Sequence, residues 1–268
     1  MKTIIAPTDF TPISLNAVDY AADMAVDLHA KLLLVHVVEL TATSVSEFPM
    51  TEVTYYQVSH ELELEDLKNT IVTRTKNAIE VETQHLLGNV SYEVKEICKQ
   101  LNPFAVVMGT HAPGMIERFL FGSTTLYTIM HLPFPVMIVP DNAVYKPIKK
   151  IGFATDLKGI YNVPLEELKT VTRAFDASLH VIHIALENEH NTESLTEKTL
   201  LQHRLKEFHP QFYYAKSDSV EKGIEQFTIG NNIDLMLLVP KKHGLFHKSQ
   251  SKQVVFHIPV PAMTIHEE

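Results

Sequence analysis

Cysteine is almost absent from this chain of 268 residues, which contains only Cys98. A single thiol cannot form an intrachain disulfide, so we expect a protein of a reducing compartment, the cytoplasm. Cys98 falls on a predicted helix without a cysteine partner, which favours a thiol packed in the core over a reactive nucleophile. The remaining composition, 45% hydrophobic and 21% charged, is typical of a globular protein.

Long apolar runs and clustered positive charge are also missing. No window approaches the roughly 18 uncharged apolar residues of a membrane-spanning helix, so we expect no span. The apolar run at the amino terminus is too short for a signal peptide, and Asp9 interrupts it. The formal net charge is −9. We therefore expect no nucleic-acid binding, which needs clustered basic residues, although backbone N–H groups can still hold a small anion.

Several catalytic and metal-binding signatures are absent. The sequence has no GxSxG elbow, no GxGxxG fingerprint and no HExxH motif. Residues 109–114 have the glycine spacing of a P-loop, but Met115 and Ile116 stand where Lys and Ser or Thr are required. His243 and His247 are four residues apart without further converging ligands. We therefore expect no metal site and no catalytic residue.

The sequence does contain an internal repeat, because residues 4–37 align without a gap with residues 151–184. The identical positions include three polar pairs, which are Thr8 and Thr155, Asp9 and Asp156, and His36 and His183. Recurrence of a histidine in an apolar strand favours a core histidine bonded to a backbone carbonyl. We interpret the chain as two homologous domains, residues 1–143 and 147–268, joined by a short polar connection.

Each half alternates apolar strands with helices. In the first half we predict helices from the Thr11 N-cap, with Pro12 in the first turn, to about Leu28, from 59 to 76 and from 90 to 101. Strands are predicted at 4–8, 32–38, 78–87, 104–109 and 134–140, and in the second half at 179–185, 211–216, 234–240 and 260–266. This alternation predicts an α/β fold in which helices cover both faces of a five-stranded parallel sheet in each half. Such sheets bind ligands beyond the carboxyl ends of their strands.

Two glycine-containing turns follow one another after the fourth predicted strand. Gly109 closes that strand, and Gly122 and Ser123 stand where the next helix begins. A helix N-terminus offers unpaired N–H groups and the positive end of the helix dipole, which together attract phosphate. The two turns could therefore hold a di- or triphosphate without a lysine. The alternative is that the glycines and hydroxyls only turn the chain and cap the helix.

These features resemble the universal stress protein family, and the whole chain resembles its tandem two-domain form. The resemblance rests on the opening strand that ends at 7–9, the strand that ends at 36–37, the stretches 107–111 and 122–124, and the closing strand at 133–139. ATP-binding members carry Gly, two residues, Gly, nine residues, Gly, then Ser or Thr. Gly109, Gly122 and Ser123 fall in register with that signature, whereas Ala112, followed by Pro113, replaces the middle glycine.

The resemblance implies a fold and a set of binding roles. The fold is two tandem doubly wound sheets, Rossmann-like and similar to the adenine nucleotide alpha hydrolases. Asp9 would bond the ribose or adenosine portion of the ligand. The adenine and ribose would be enclosed by Pro7, Thr8, Val37 and Met108. The phosphates would be held by Gly109, Gly122, Ser123 and Thr124, with Thr110 and His111 in the same turn.

The second half departs further from the pattern. Asp156 is kept, but Lys248 aligns with Gly122 and Ser249 with Ser123, and the intervening loop is shorter. We interpret residues 147–268 as a degenerate copy with a structural or partner-binding role. By resemblance, the last strand of each domain, Val136 to Val139 and Pro261 to Ile265, could mediate pairing, and a further homodimer is plausible.

The sequence therefore supports three hypotheses. The first is a universal stress protein in which ATP, or AMP or ADP, with or without Mg²⁺, binds the first domain and regulates a stress response. The second is an interaction or scaffold protein of the same fold that binds no nucleotide, because Ala112 and Pro113 close the site. The third is an enzyme, a weak ATPase or a related adenylate-forming α/β fold, which the absence of an HxGH-like or lysine-bearing phosphate motif disfavours.

Overall fold

The computed structural model describes residues 1–38, 50–110, 132–155, 157, 160–186, 195–239 and 258–266, with side chains of the second helix described from residue 58. Within these residues the chain forms two compact units. The first contains Met1–Thr110 and extends to Tyr145, and the second begins at Lys146. No helix in the described ranges is both long and apolar enough to cross a membrane.

The first unit is a parallel sheet of five strands in the order β3-β2-β1-β4-β5. The strands are β1 (Thr3–Pro7), β2 (Lys31–Val38), β3 (Val81–Leu87), β4 (Ala105–Thr110) and β5 (Val136–Pro140). The helices in its described part are α1 (Pro12–Leu28), α2 (Met50–Arg74) and α3 (Val90–Leu101). Strands β1, β4 and β5 are buried along almost their whole length, as expected for a parallel sheet covered on both faces.

Helix α1 begins as the sequence predicts. Thr11 is the N-cap, its hydroxyl accepts a hydrogen bond from the N–H of Ser14, and Pro12 opens the first turn. The helix ends at His29, whose left-handed φ of 49° reverses the chain into β2. Its inner face includes Ala17, Ala21, Met24 and Ala25, which are all fully buried. Small side chains on this face let α1 lie close to the sheet.

The predicted start of α2 is wrong, because this helix begins at Met50, well before residue 59. Residues 51–58 (TEVTYYQV) are rich in β-branched and aromatic side chains, which have low helix propensity. The sequence pattern therefore indicates a helix only from residue 59 onward. From residue 58 to the end of α2, most side chains are exposed or half-buried, whereas Leu64 and Ile71 are buried.

The second unit is again a parallel sheet of five strands, in the order β10-β9-β6-β7-β8. The strands are β6 (Lys150–Ala154), β7 (Ser178–Leu186), β8 (Gln211–Ser217), β9 (Leu235–Leu238) and β10 (Ala262–Thr264). The helices in its described part are α4 (Leu165–Phe175), α5 (Leu195–Arg204) and α6 (Val220–Asn231), with short 3-10 turns at Ile160–Asn162 and Lys206–Phe208. Helix α4 begins later in the repeat than α1 because Pro164 cannot occupy a helix interior.

The two units share one topology. In each, the first strand lies third in the sheet, the next two strands follow on one side of it, and the last two follow on the other. The predicted fold class, α/β with two tandem doubly wound parallel sheets, is confirmed.

Candidate functional site

The candidate site of the first unit lies where the strand order reverses. The neighbours β1 and β4 run parallel, with Ile4 opposite Ala105 and Ile5 opposite Val106. From β1 the chain continues to β2 on one side, and from β4 to β5 on the other. Doubly wound sheets bind ligands at such a switch point, beyond the carboxyl ends of the strands. The sequence-predicted residues 7–9 and 108–110 follow these two strands to the same edge of the sheet.

The turn from β1 into α1 is held by a dense set of hydrogen bonds. The N–H of Thr8 donates to the carbonyl of Val35 at 2.8 Å, which ties the turn to β2. The Thr8 hydroxyl accepts from the N–H of Phe10 at 3.0 Å and lies 3.1 Å from the Ser14 hydroxyl. Phe10 has a φ of 62°, so the chain bends sharply here in a conformation that non-glycine residues seldom adopt. The turn is therefore held in place by hydrogen bonds within the chain itself.

Asp9 is the exposed carboxylate of this turn. Its Oδ1 accepts hydrogen bonds from the hydroxyl of Thr11 at 2.6 Å and from the N–H of Thr11 at 3.1 Å. Partial burial acts to raise the pKa of Asp9, but hydrogen bonds from Ser14 and Thr11 outweigh it, so the pKa falls below its ordinary value. The carboxylate is thus ionised at neutral pH and braces the start of α1. Both bonds from Thr11 end on Oδ1.

Gly109 has a structural role that the sequence did not reveal. A Cβ at this position would collide with the carbonyl oxygen of Ile13 and lie 2.8 Å from the Cγ2 of the same residue. The missing side chain therefore lets β4 pack against the first turn of α1. The sequence interpretation assigned this glycine to phosphate binding through its main-chain N–H, and that role stays a prediction beside the contact with Ile13.

The other predicted contacts described by the structure are buried. Pro7, Thr8, Val37, Met108 and Thr110 all have little solvent exposure. The Thr110 hydroxyl oxygen is buried and makes no hydrogen bond within the described part of the chain. It ends β4, so a donor or acceptor entering at this edge could satisfy it.

The remaining predicted residues lie outside the described residues. They are His111, Gly122, Ser123 and Thr124, together with Ala112 and Pro113, which bear on the same signature. In the second unit the same holds for Asp156, Lys248 and Ser249. The structure places residues 7–9 and 108 at the carboxyl ends of the neighbouring strands β1 and β4, and the binding roles of all the site residues stay a prediction.

The prediction of core histidines is confirmed in both units. His36 Nδ1 lies 2.7 Å from the carbonyl oxygen of Thr8, and His183 Nδ1 lies 2.9 Å from that of Thr155. Because a carbonyl oxygen can only accept, each Nδ1 must carry the proton and donate it. The two bonds hold the end of each first strand against the second.

Sequence reasoning missed a histidine cluster beside this turn. His36 on β2, His60 on α2 and His85 on β3 each bring a ring nitrogen within 4.8 Å of the others. Neither His60 nor His85 is part of a local sequence motif. The pairing of His36 with His85 depends on the register of β2 against β3, which no local sequence pattern encodes.

The doubly wound topology and the switch-point turn define a class of α/β proteins that bind small ligands at this edge. A family model described as "Universal stress protein family" matches residues 1–140. The chain therefore belongs to the universal stress protein family, as the sequence motifs predict.

Curated relatives and solved structures agree with this assignment. A universal stress protein of Methanocaldococcus jannaschii is 25% identical over 138 residues, which cover 52% of this chain and 81% of that protein. Universal stress protein A homolog 1 of Coxiella burnetii is 31% identical over 123 residues, covering 44% and 83% respectively. A universal stress protein structure from Archaeoglobus fulgidus superposes with a TM-score of 0.78 at 17% identity, over 99% of this chain and 98% of that one. At that identity the last match bears on fold, and it extends the fold likeness to the second unit.

Proposed function

We propose that the first unit binds an adenine nucleotide, ATP or its di- or monophosphate, at the switch point between β1 and β4, and that binding regulates a stress response. One observation carries the proposal. Residues 7–9 and 108–110, which the family signature assigns to the adenosine portion and the first phosphate contact, follow two neighbouring strands to one edge of the sheet.

Asp9 supplies the polar recognition in this proposal. Its carboxylate is ionised and oriented by Thr11, and a ribose offers two hydroxyl donors. Hydrogen bonds from a hydroxyl to a charged acceptor are stronger than those between neutral groups. Because hydrogen bonds within the chain orient this turn, little conformational entropy would be lost when the ribose binds.

The phosphates would meet main-chain N–H groups near Gly109, Gly122 and Ser123, with the hydroxyl of Thr124 as a further donor and Mg²⁺ as an optional counter-ion. The N-terminal end of a helix after the second glycine turn would favour their negative charge. The sequence offers no candidate general base for phosphoryl transfer. The activity that we propose is therefore binding with slow or no hydrolysis.

A second candidate is a protein of the same fold that binds partners and no nucleotide. Two observations favour it: Ile13 occupies the space beside Gly109, and Ala112 replaces the middle glycine of the signature. In this case the turn at Asp9 would serve only to begin α1.

The test compares two aspartates that occupy equivalent positions in the repeat. Asp9→Asn keeps the size of the side chain and removes the charge, and Asp156→Asn makes the same change in the second unit. We expect calorimetric titration with ATP, ADP and AMP, with and without Mg²⁺, to show tenfold to a hundredfold weaker binding for Asp9→Asn, roughly the value of a charge-assisted hydrogen bond. Asp156→Asn should bind like the wild type.

The second candidate predicts no heat of nucleotide binding in any of the three proteins. If Asp9→Asn and Asp156→Asn lost nucleotide affinity equally, the nucleotide site would not be the one proposed at Asp9. Mass spectrometry of the gently denatured protein adds an independent readout, because a nucleotide that co-purifies would be released and identified by its mass.

For the second unit, residues 147–268, we propose a degenerate domain with a structural or partner-binding role. We also propose that the protein acts in the cytoplasm and pairs as a homodimer. Light scattering after size-exclusion chromatography would show the dimer as twice the chain mass of 30.3 kDa.

A further inference from the structure

The histidine cluster of His36, His60 and His85 joins three elements of the first unit. His36 and His85 are directly opposite in the paired strands β2 and β3, and their rings are parallel with centroids 5.6 Å apart. His60 on α2 meets the His36 ring edge-on at 4.8 Å. One ring nitrogen from each histidine lies within 4.8 Å of the other two.

The ring nitrogens that point into the cluster can act as ligands. His36 donates its Nδ1 proton to the Thr8 carbonyl, so its Nε2 carries a lone pair. That Nε2 and the Nε2 of His85 are buried and have no hydrogen-bond partner in the part of the chain that the structure describes. The Nδ1 of His60 is buried in the same cluster. Metal-binding histidines typically donate their second ring N–H to a carbonyl or carboxylate, which is the arrangement of His36.

The cluster also has an apolar neighbour on the turn that follows β1. The Phe10 ring lies 4.7 Å from the His36 ring and 6.0 Å from the His60 ring, which covers one side of the cluster with apolar surface.

The second unit shows that the fold does not require the cluster. His183 repeats His36 down to its bond with a threonine carbonyl, but the residue opposite it on β8 is Tyr214. Lys198 of α5 lies over that tyrosine ring at 4.5 Å. The carbonyl-bonded histidine thus belongs to both units, whereas the second and third imidazoles occur in the first unit alone among the described residues.

We propose that His36, His60 and His85 form a binding site for a divalent transition-metal ion of the Zn²⁺ class, with three imidazole ligands and a fourth position for water or another ligand. Three histidine nitrogens are a recognised zinc ligand set with one open position. Zinc–nitrogen distances of about 2.0–2.1 Å place tetrahedral ligand nitrogens about 3.3 Å apart, so nitrogens 4.8 Å apart would move closer by about 1.5 Å through side-chain rotation. Bound metal would tie α2 to β2 and β3 beside the turn at Asp9.

The test uses untagged full-length protein stripped with a chelator and titrated with Zn²⁺ by calorimetry and with Co²⁺ by visible absorption. We expect one tight equivalent per chain, and Co²⁺ bands of a four- or five-coordinate nitrogen site. The variant His85→Tyr places a tyrosine at position 85, as the second unit has Tyr214 at the equivalent position. We therefore expect this variant to fold. His85→Tyr and His60→Gln should each weaken binding at least tenfold.

Two controls separate this site from the other histidines of the chain, which has 15 in total. His183→Gln removes the equivalent core histidine of the second unit, and His203→Gln removes an exposed one. Both should bind Zn²⁺ like the wild type. A rise in melting temperature with Zn²⁺ should appear in the wild type and both controls and be absent from His85→Tyr. Equal binding by all proteins, or no tight equivalent in the wild type, would overturn the proposal.

These experiments test the metal site and the nucleotide site separately. Asp9→Asn should keep Zn²⁺ binding, because the cluster does not use that carboxylate as a ligand. Zn²⁺ affinity is measured without nucleotide, so a wild type that binds no ATP leaves the metal result intact.

Discussion

At the scale of single residues, the pKa of Asp9 makes a testable link between the turn and stability. The folded-state pKa lies below the ordinary value of 3.8, so the ionised carboxylate stabilises the fold above that value. This contribution is lost as the pH falls through the lowered folded-state pKa. We expect Asp9→Asn to reduce the free energy of unfolding at pH 7 and to reduce it less at pH 3, as urea titrations at both values would show. If the difference in the free energy of unfolding between the wild type and Asp9→Asn grew toward low pH, that result would contradict the stabilising role of the ionised carboxylate.

Cys98 supplies a second prediction at this scale. The thiol is fully buried on α3, and burial raises its pKa from 9.0 to about 12. The thiolate is the reactive form, so its fraction near pH 8 falls by about a thousandfold. We expect a disulfide reagent such as DTNB to modify the native protein at least about a hundredfold more slowly than the urea-unfolded chain. Rapid native modification would place the thiol at the surface and overturn the interpretation of a packed cysteine.

Sequence reasoning reached some residues of the site and missed others for a physical reason. The Thr11 cap and Asp9 turn depend on neighbours within a few positions, so local propensities predict them. The contact of Gly109 with Ile13 and the pairing of His36 with His85 join residues distant in sequence. Such contacts follow from strand register and helix packing, which a single sequence does not encode locally.

At the scale of elements, two glycines form a matched pair. Gly109→Ala forces a methyl group against the Ile13 backbone where β4 meets α1, and we expect a loss of about 1–3 kcal/mol in the free energy of unfolding. Gly230→Ala lies on the exposed side of α6 with no atom within 4 Å of the added Cβ. This change should be neutral or stabilise by up to about 1 kcal/mol, because alanine favours helix. Thermal and urea unfolding would measure both variants. If Gly109→Ala and Gly230→Ala changed the free energy of unfolding equally, that result would contradict the packing role of Gly109.

Two helix caps form a second pair. Thr11 caps α1 and also holds Asp9, whereas Ser219 caps α6 by accepting from the N–H of Lys222 at 3.3 Å. Each alanine substitution should cost about 0.5–2 kcal/mol of stability. Only Thr11→Ala should also weaken nucleotide binding, since it releases the Asp9 carboxylate. If Thr11→Ala bound ATP with unchanged affinity, Thr11 would cap the helix without contributing to nucleotide binding.

The elements also show where boundaries can be predicted. Helix α3 matches its predicted limits of Val90 to Leu101, because Asn89 accepts from the N–H of Tyr92 and Asn102 takes a left-handed φ of 44°. The start of α2 was misplaced because residues before Ser59 have low helix propensity. Helix ends with strong capping residues can thus be predicted from sequence, whereas hydrophobic periodicity alone does not define where a helix begins.

At the scale of the whole molecule, the repeat has kept its topology while its polar groups have changed. Both units have the same strand order and the same histidine-to-carbonyl bond after the first strand. The glycine signature and the second and third histidines of the cluster belong to the first unit. The family model likewise matches residues 1–140. We therefore predict that ligands bind the first unit and that the second unit has a structural or partner-binding role.

The most direct test of this central claim is the number of nucleotides bound per chain. Native mass spectrometry of the full-length protein with ATP in excess should show a single added nucleotide mass per chain. Gly122→Lys should remove it, because the lysine side chain would fill the proposed phosphate site. Two nucleotides per chain, none at saturating ATP, or one that persists in Gly122→Lys would contradict the account.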